Sequence, residues 1–180
     1  STSNVVLLYP LQTATCYISR LAEIYGQQGA VDQRYLIASS RSGPSPDDLR
    51  RRKEICDGIC GNSYLGWFNA LTREHIPFDV VLDSGVTDEG LAGYDTLIIG
   101  NAACLSGDQV LAIQRFVHSG GGLIAEFEAG CYDERGRKRE SSALAGLLGV
   151  AGLDGAMPPA YGEEYVRVTG AHPVTERFAV

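Results

Sequence analysis

The chain has 180 residues, of which 44% are apolar and 21% charged, values that suit one ordinary globular domain with a core of its own. A formal net charge of −7 excludes a nucleic-acid binder, which needs a basic face, and the short run Arg50-Arg51-Arg52-Lys53 reads as a solvated helix face rather than an anion site. No apolar run approaches membrane-spanning length, and Val5–Leu8 is too short for the apolar core of a signal peptide, so no membrane partner is expected.

In chain order, "NVVLLYP" (residues 4–10) is a short apolar, β-branched run ending at a proline, the pattern of a buried parallel strand. From Pro10 to about Pro44 the sequence is irregular, rich in Gln, Gly, Ser and Arg, with one short helix expected near Ile18–Tyr25. "SPDDLRRRKEICDGIC" predicts a helix capped by Ser45, with Pro46 at its first position and Asp47 and Asp48 in its first turn. "SYLGWFNALTREH" places Tyr64, Trp67, Phe68 and Leu71 at i, i+3, i+4 and i+7, an aromatic stripe read as core. "PFDVVL" (77–82) and "YDTLIIG" (94–100) predict the second and third strands.

"SGDQVLAIQRFVHSGG" is the clearest helix. Ser106 and Gln109 form a capping box, Val110, Ile113 and Val117 line one face, and Gly120 ends it. A fourth strand, "GGLIAEF" (121–127), a charged loop, a short helix "SALAGLLG" (142–149) and an alternating edge strand "EEYVRVTG" (163–170) complete the pattern. Strands alternating with helices predict an α/β fold, a three-layer parallel sheet with helices on both faces. The irregular insert at about 10–60 follows the first strand, so it lies at the carboxyl end of the sheet, where such domains keep ligands or partners.

"LIIGNAACLSGDQ" (97–109) has the outline of a nucleophile elbow, a strand, a tight turn with a thiol and a helix. An activated thiol needs a helix N-terminus aimed at it, a base within reach and free N–H groups for an oxyanion. Cys104 lies two residues before the Ser106 cap, on a slack connection whose cap consumes an N–H, so it is a poor nucleophile candidate. Cys131 comes late after its strand and is followed by a polar loop. Glu126 and Glu128, two apart, share one face if the strand continues through them, and could serve acid–base work there; a solvated strand end is the simpler reading. His172, in "AHPV", could reach a site from the end of the chain but reads as a turn residue.

Five cysteines, an odd number without a dense framework, point to a reducing compartment and a cytoplasmic location. Cys56 and Cys60 could share a helix face, but His75, His118 and His172 offer no partner spacing, so no metal and no cofactor are expected. The chain lacks an initiator Met and stops abruptly at "RFAV", which we read as a segment of a longer protein.

The order "GYDTLIIGNAACLSGDQVLAIQRFVHSGGGLIAEFEAGCYDERG" and then "SSALAGLLGV" resembles the trimerisation domain of family-42-type β-galactosidases. The family pattern of a "Y-D-x-L-I-I" strand, an "L-S" helix start, "F-V-x-x-G-G-x-L-I", an acidic loop and "L-x-x-L-L-G-V" falls on Tyr94–Ile99, Leu105–Ser106, Phe116–Ile124, Cys131–Gly136 and Leu144–Val150. Upstream, "YLGWFNALTREHIPFDVV" (64–81) matches the same family, and "HPVT" (172–175) resembles a late turn of amidotransferase-like folds. The likeness is good over about 64–150, weak over Val5–Tyr9 and nearly absent over the insert.

The resemblance implies a flavodoxin-like, class I glutamine amidotransferase-like fold that has lost its nucleophile. It places "IIGNAA" at the oxyanion-strand turn and Glu126–Glu128 where the nucleophile belongs. It further implies a catalytic (β/α)8 barrel elsewhere in the parent protein, subunit contacts made by this domain, and no inherited catalytic residue here. Three readings compete. The first is an assembly domain without chemistry, self-associating, as a trimer in the family, or packing on a barrel through the aromatic-rich insert (Tyr17, Tyr25, Tyr35) or the Tyr161–Tyr165 region. The second is an amidotransferase-like hydrolase using Cys104 or Cys131, and the third is a saccharide-binding module using the carboxyl-end cleft. Fold alone does not choose among them.

Overall fold

The structure, a computed structural model, describes residues 3–16, 62–150, 173 and 175. The expected helices near Ile18–Tyr25 and after Ser45, the Arg50–Lys53 run, Cys56, Cys60, the tyrosines at 17, 25, 35, 161 and 165, the strand at 163–170 and His172 all lie outside the described residues.

Four strands form one sheet: β1 (Val5–Tyr9), β2 (Phe78–Leu82), β3 (Thr96–Ile99) and β4 (Gly122–Ala125), in the order β2-β1-β3-β4. All three pairings are parallel, with Leu7 opposite Val80 on one side and opposite Ile98 on the other, and Ile98 opposite Ile124. The chain moves outward from β1 to β2, crosses back over β1 to β3 and then continues to β4. That reversal is the flavodoxin-like winding, and it opens a crevice at the carboxyl ends of β1 and β3. The four expected strands and the α/β class are thus observed.

The helices are α1 (Asn62–Arg73), α2 (Asp88–Leu91), α3 (Gly107–His118) and α4 (Ala145–Leu148), and residues 11–16 are also helical. In α3 the capping box is complete: Gln109 N–H donates to Ser106 Oγ at 3.2 Å, and Ser106 N–H donates to Gln109 Oε1 at 2.7 Å. The helix stops where Gly120 takes φ 107° and Gly121 N–H reaches back to Phe116 O. Gly121 has to be a glycine, because a Cβ there would strike the Phe116 ring. α1 ends in the same way with a residue less suited to it. His75 takes φ 55° while Ile76 N–H bonds Leu71 O, so this histidine serves as a helix terminus.

Alternation along the strands divides the core in two. On one face Val6, Leu8, Leu97 and Ile99 pack with Val110, Ile113 and Phe116 of α3, Leu91 of α2 and Leu144. On the other, Leu7 and Ile98 pack beneath Leu71 of α1, with Tyr64, Trp67 and Phe78 partly buried around them. The aromatic stripe of α1 is therefore not the closed core expected of it. Only Leu71 is buried, while Phe68 is exposed and meets Phe78 edge-on at 5.2 Å. The helix covers β1 and leaves its own outer flank to solvent.

Candidate functional site

After β3 the chain does not form a tight elbow. Residues Asn101 to Leu105 run through the interior and pair with the loop at 130–132: Gly130 N–H donates to Ala102 O, Tyr132 N–H to Ala103 O, and Leu105 N–H to Tyr132 O. Cys104 is wholly buried, and its N–H donates to Thr13 Oγ1 at 3.0 Å. With Leu105 N–H on Tyr132 O and Ser106 N–H on Gln109 Oε1, the successive N–H groups that an oxyanion at this turn would use are all engaged. Arg139 clamps the same junction, donating to Leu105 O at 3.0 Å and to the Tyr132 carbonyl.

Cys131 is buried in the second loop. Burial first, and the nearby Glu128 second, push its thiol up to about 11, so it stays protonated at neutral pH, the reverse of an activated thiol. Tyr132 is shifted upward for the same two reasons, and its hydroxyl donates to Glu128 Oε1 at 3.4 Å.

The two glutamates do not share a strand face, because β4 ends at Ala125 and Phe127 turns the chain with φ 50°. The expectation of a solvated strand end also fails, since Glu128 is buried beside Tyr132. Glu126 faces α1 instead. Trp67 Nε1–H donates to its Oε1 at 2.6 Å and Ser63 Oγ–H to its Oε2, while Ser63 Oγ accepts from Asn101 N–H at 3.1 Å. Ser63 sits so close to the sheet that a Cβ on Gly100 would lie 2.7 Å from its Oγ. A left-handed residue just past a parallel strand has the shape of an elbow, and here Phe127, two residues beyond β4, puts a phenyl ring with no nucleophilic atom at that position. Of the histidines, His118 is exposed on α3 with Nδ1 2.7 Å from Gln114 O. Among the described residues no group of three or more His, Cys, Asp or Glu is placed to hold a metal.

A second feature lies at the carboxyl edge, beyond β1 and β2, where the sequence predicts a cleft without naming the residues that line it. A cleft of about 530 Å³ is lined by Leu11, Gln12, Leu82, Asp83, Gln109 and Arg135, among others. Asp83 Oδ2 accepts Gln12 N–H at 2.8 Å, and Gln109 Nε2–H donates to Asp83 O at 2.8 Å. Asp83 is only 7% exposed, and burial raises its carboxyl above the usual 3.8 against the pull of the Gln12 N–H. The available signal was positional: "LDSG" puts a carboxylate just past the second strand, at the carboxyl end of the sheet.

A family model described as "Beta-galactosidase trimerisation domain" matches residues 39–172, well over half of the chain. The chain belongs to the β-galactosidase trimerisation domain family. The resemblance read on the segments between Tyr64 and Val150 is thereby borne out for this family. Among solved structures, the chain is similar to a crystal structure of β-galactosidase from Bifidobacterium adolescentis, with a TM-score of 0.53 and 14% identity over 86% of this chain. The match spans 60% of that solved chain, and at this identity it shows the fold. No curated protein sequence matches significantly. Among the described residues, no helix of this trimerisation-family domain is long and apolar enough to cross a membrane.

Proposed function

We propose that this chain is a non-catalytic assembly domain of a β-galactosidase-type glycoside hydrolase, built on an amidotransferase-like fold that lacks the nucleophile. The observation that carries the reading is the family match over residues 39–172. The geometry of the carboxyl edge supports it. Phe127 holds the left-handed position after β4 where an elbow nucleophile would stand, Cys104 is sealed in the interior, and Cys131 is held as a thiol. These facts count against the hydrolase that would use Cys104 or Cys131, and against Glu126 and Glu128 as an acid–base pair. His172 has no role in the proposal.

In this reading the 180 residues form one domain with an insert at about 10–60, and the domain belongs to a longer, cytoplasmic protein whose barrel performs the hydrolysis. Its partners are further copies of itself, as a trimer, and that barrel. Sedimentation equilibrium of the chain over a wide concentration range tests it. A reversible association to three times 19.3 kDa is expected. A monomer at every concentration, together with a monomeric parent protein, would overturn it.

A further inference from the structure

The α1 side of the sheet is only half covered. Leu7 of β1 and Ile98 of β3 are buried beneath the helix, whereas Val80, opposite Leu7, and Ile124, opposite Ile98, are 47% and 39% exposed on the same face. β2 and β4 are the outer strands of the four described, so an apolar flank is open on each side of α1. Leu82 extends the β2 flank, and Phe68 of α1 meets Phe78 there. On the β4 side Trp67 and Ser63 tie the helix to Glu126.

The helix itself is composed for contact rather than for water. Most of α1 is exposed, yet Arg73 in its last turn is its only charged residue, and Tyr64, Leu65, Trp67 and Phe68 all fall within it. α3, of the same length, carries Asp108, Arg115 and His118. A solvent-facing helix shows charge on its outer face, whereas aromatic enrichment with loss of charge marks the centre of a protein interface. Gly66 adds to this. A Cβ there would meet nothing within 4 Å, so the chain's own packing does not need a glycine that costs roughly 0.5–1 kcal/mol against alanine inside a helix.

A patch that meets itself closes at two copies, but a ring of three needs two different surfaces on each copy, and α1 separates two such surfaces. We propose that α1 faces the three-fold axis of the assembly, with the β2 flank of each copy packed on the β4 flank of the next. This rests on the assembly reading above and adds where the contact lies.

Sedimentation equilibrium of the full chain tests the arrangement, with Val80→Asp on one flank and Ile124→Asp on the other. Leu111→Asp, at a similarly exposed leucine on α3, is the control. Each flank variant places an unpaired carboxylate in every contact and should weaken association at least about thirtyfold, the effect of losing one hot-spot side chain. Leu111→Asp should associate like the wild type. An equimolar mixture of the two flank variants keeps one intact pairing, the β2 flank of the Ile124→Asp copy on the β4 flank of the Val80→Asp copy. It should therefore form a pair of twice 19.3 kDa and grow no further. Flank variants that still form the wild-type trimer, as they would if a barrel covered α1 instead, would overturn the inference and leave the assembly reading standing. A mixture that stays monomeric at every concentration would overturn the head-to-tail pairing. A wild type that never associates would overturn the assembly reading, and this inference with it. If Val80→Asp does not fold, Leu82→Lys, at another exposed position of the same flank, takes its place.

Discussion

The two faces of the sheet are built to different standards. Towards α2 and α3, Val6, Leu8, Leu97 and Ile99 are wholly enclosed, and Leu91, Val110, Ile113 and Phe116 close an apolar layer above them. Towards α1, alternation sends Val80, Leu82 and Ile124 outward, and all three are exposed, Val80 by 47%. There the helix is held by a few apolar contacts and by the polar tie from Ser63 and Trp67 to Glu126. The contrast separates what stores stability from what fixes position. A closed apolar layer is non-directional and tolerant, whereas a carboxylate gripped at both oxygens sets one orientation of α1 against the carboxyl edge.

Truncating one residue on each face should give unequal losses. Leu97→Ala should destabilise the fold by about 3–4 kcal/mol through lost burial and a cavity, measured by urea unfolding. Val80→Ala should cost only about 0.5 kcal/mol, as exposed positions do. Equal losses would mean that the α1 face is closed in solution as tightly as the other.

The next effect concerns the loop that joins the two faces at the carboxyl edge. With its thiol moved from 9.0 to about 11, Cys131 should carry about a hundredfold less thiolate at neutral pH than an unperturbed cysteine. Its alkylation, followed by peptide mass, should be slow in the native protein and accelerate only on unfolding. Rapid native labelling at neutral pH would show an exposed, activated thiol and revive the hydrolase reading.

The tie itself is worth less than the closed core. Glu126→Ala leaves the Trp67 N–H and the Ser63 hydroxyl without their shared acceptor, at an expected cost of about 2 kcal/mol. Trp67 is the sole tryptophan, so its fluorescence should shift to the red in the variant. An unchanged spectrum would show that packing alone orients α1.

Which parts of this were legible beforehand follows from the range of the forces involved. The strands show in the sequence because buried parallel strands are apolar, β-branched runs bounded by Pro or Gly. The α3 cap shows because Ser106 and Gln109 are three residues apart. Glu126 was misread because its partners Trp67 and Ser63 lie 59 and 63 positions away, and no local pattern announces them. Trp67 counted as core by its spacing, yet it spends its N–H on a carboxylate. Phe127 gives no sign of its left-handed backbone, which β-side sterics disfavour for an aromatic residue. Asp83 is invisible for the same reason as Glu126: its burial is set by an N–H 71 positions away.

The smallest expected effect is the titration of Asp83, and its sign is specific. Burial raises its folded pKa above the ordinary 3.8, so between that value and the raised one the folded state binds more protons than the unfolded state. Stability from this group therefore falls as pH rises across that window and stays lowered at neutral pH. Asp133 has the opposite sign. The N–H groups of Arg137 and Arg135 lower its pKa, so its contribution is present above the unfolded pKa and lost as pH falls. That contribution is common to wild type and Asp83→Asn, and it cancels in their difference. The Asn side chain keeps an oxygen for the Gln12 N–H. The difference in unfolding free energy between the two proteins should thus tilt towards the variant as pH rises from about 3.8. If it tilts towards the wild type instead, the Asp83 carboxylate meets a positive partner in solution that outweighs its burial.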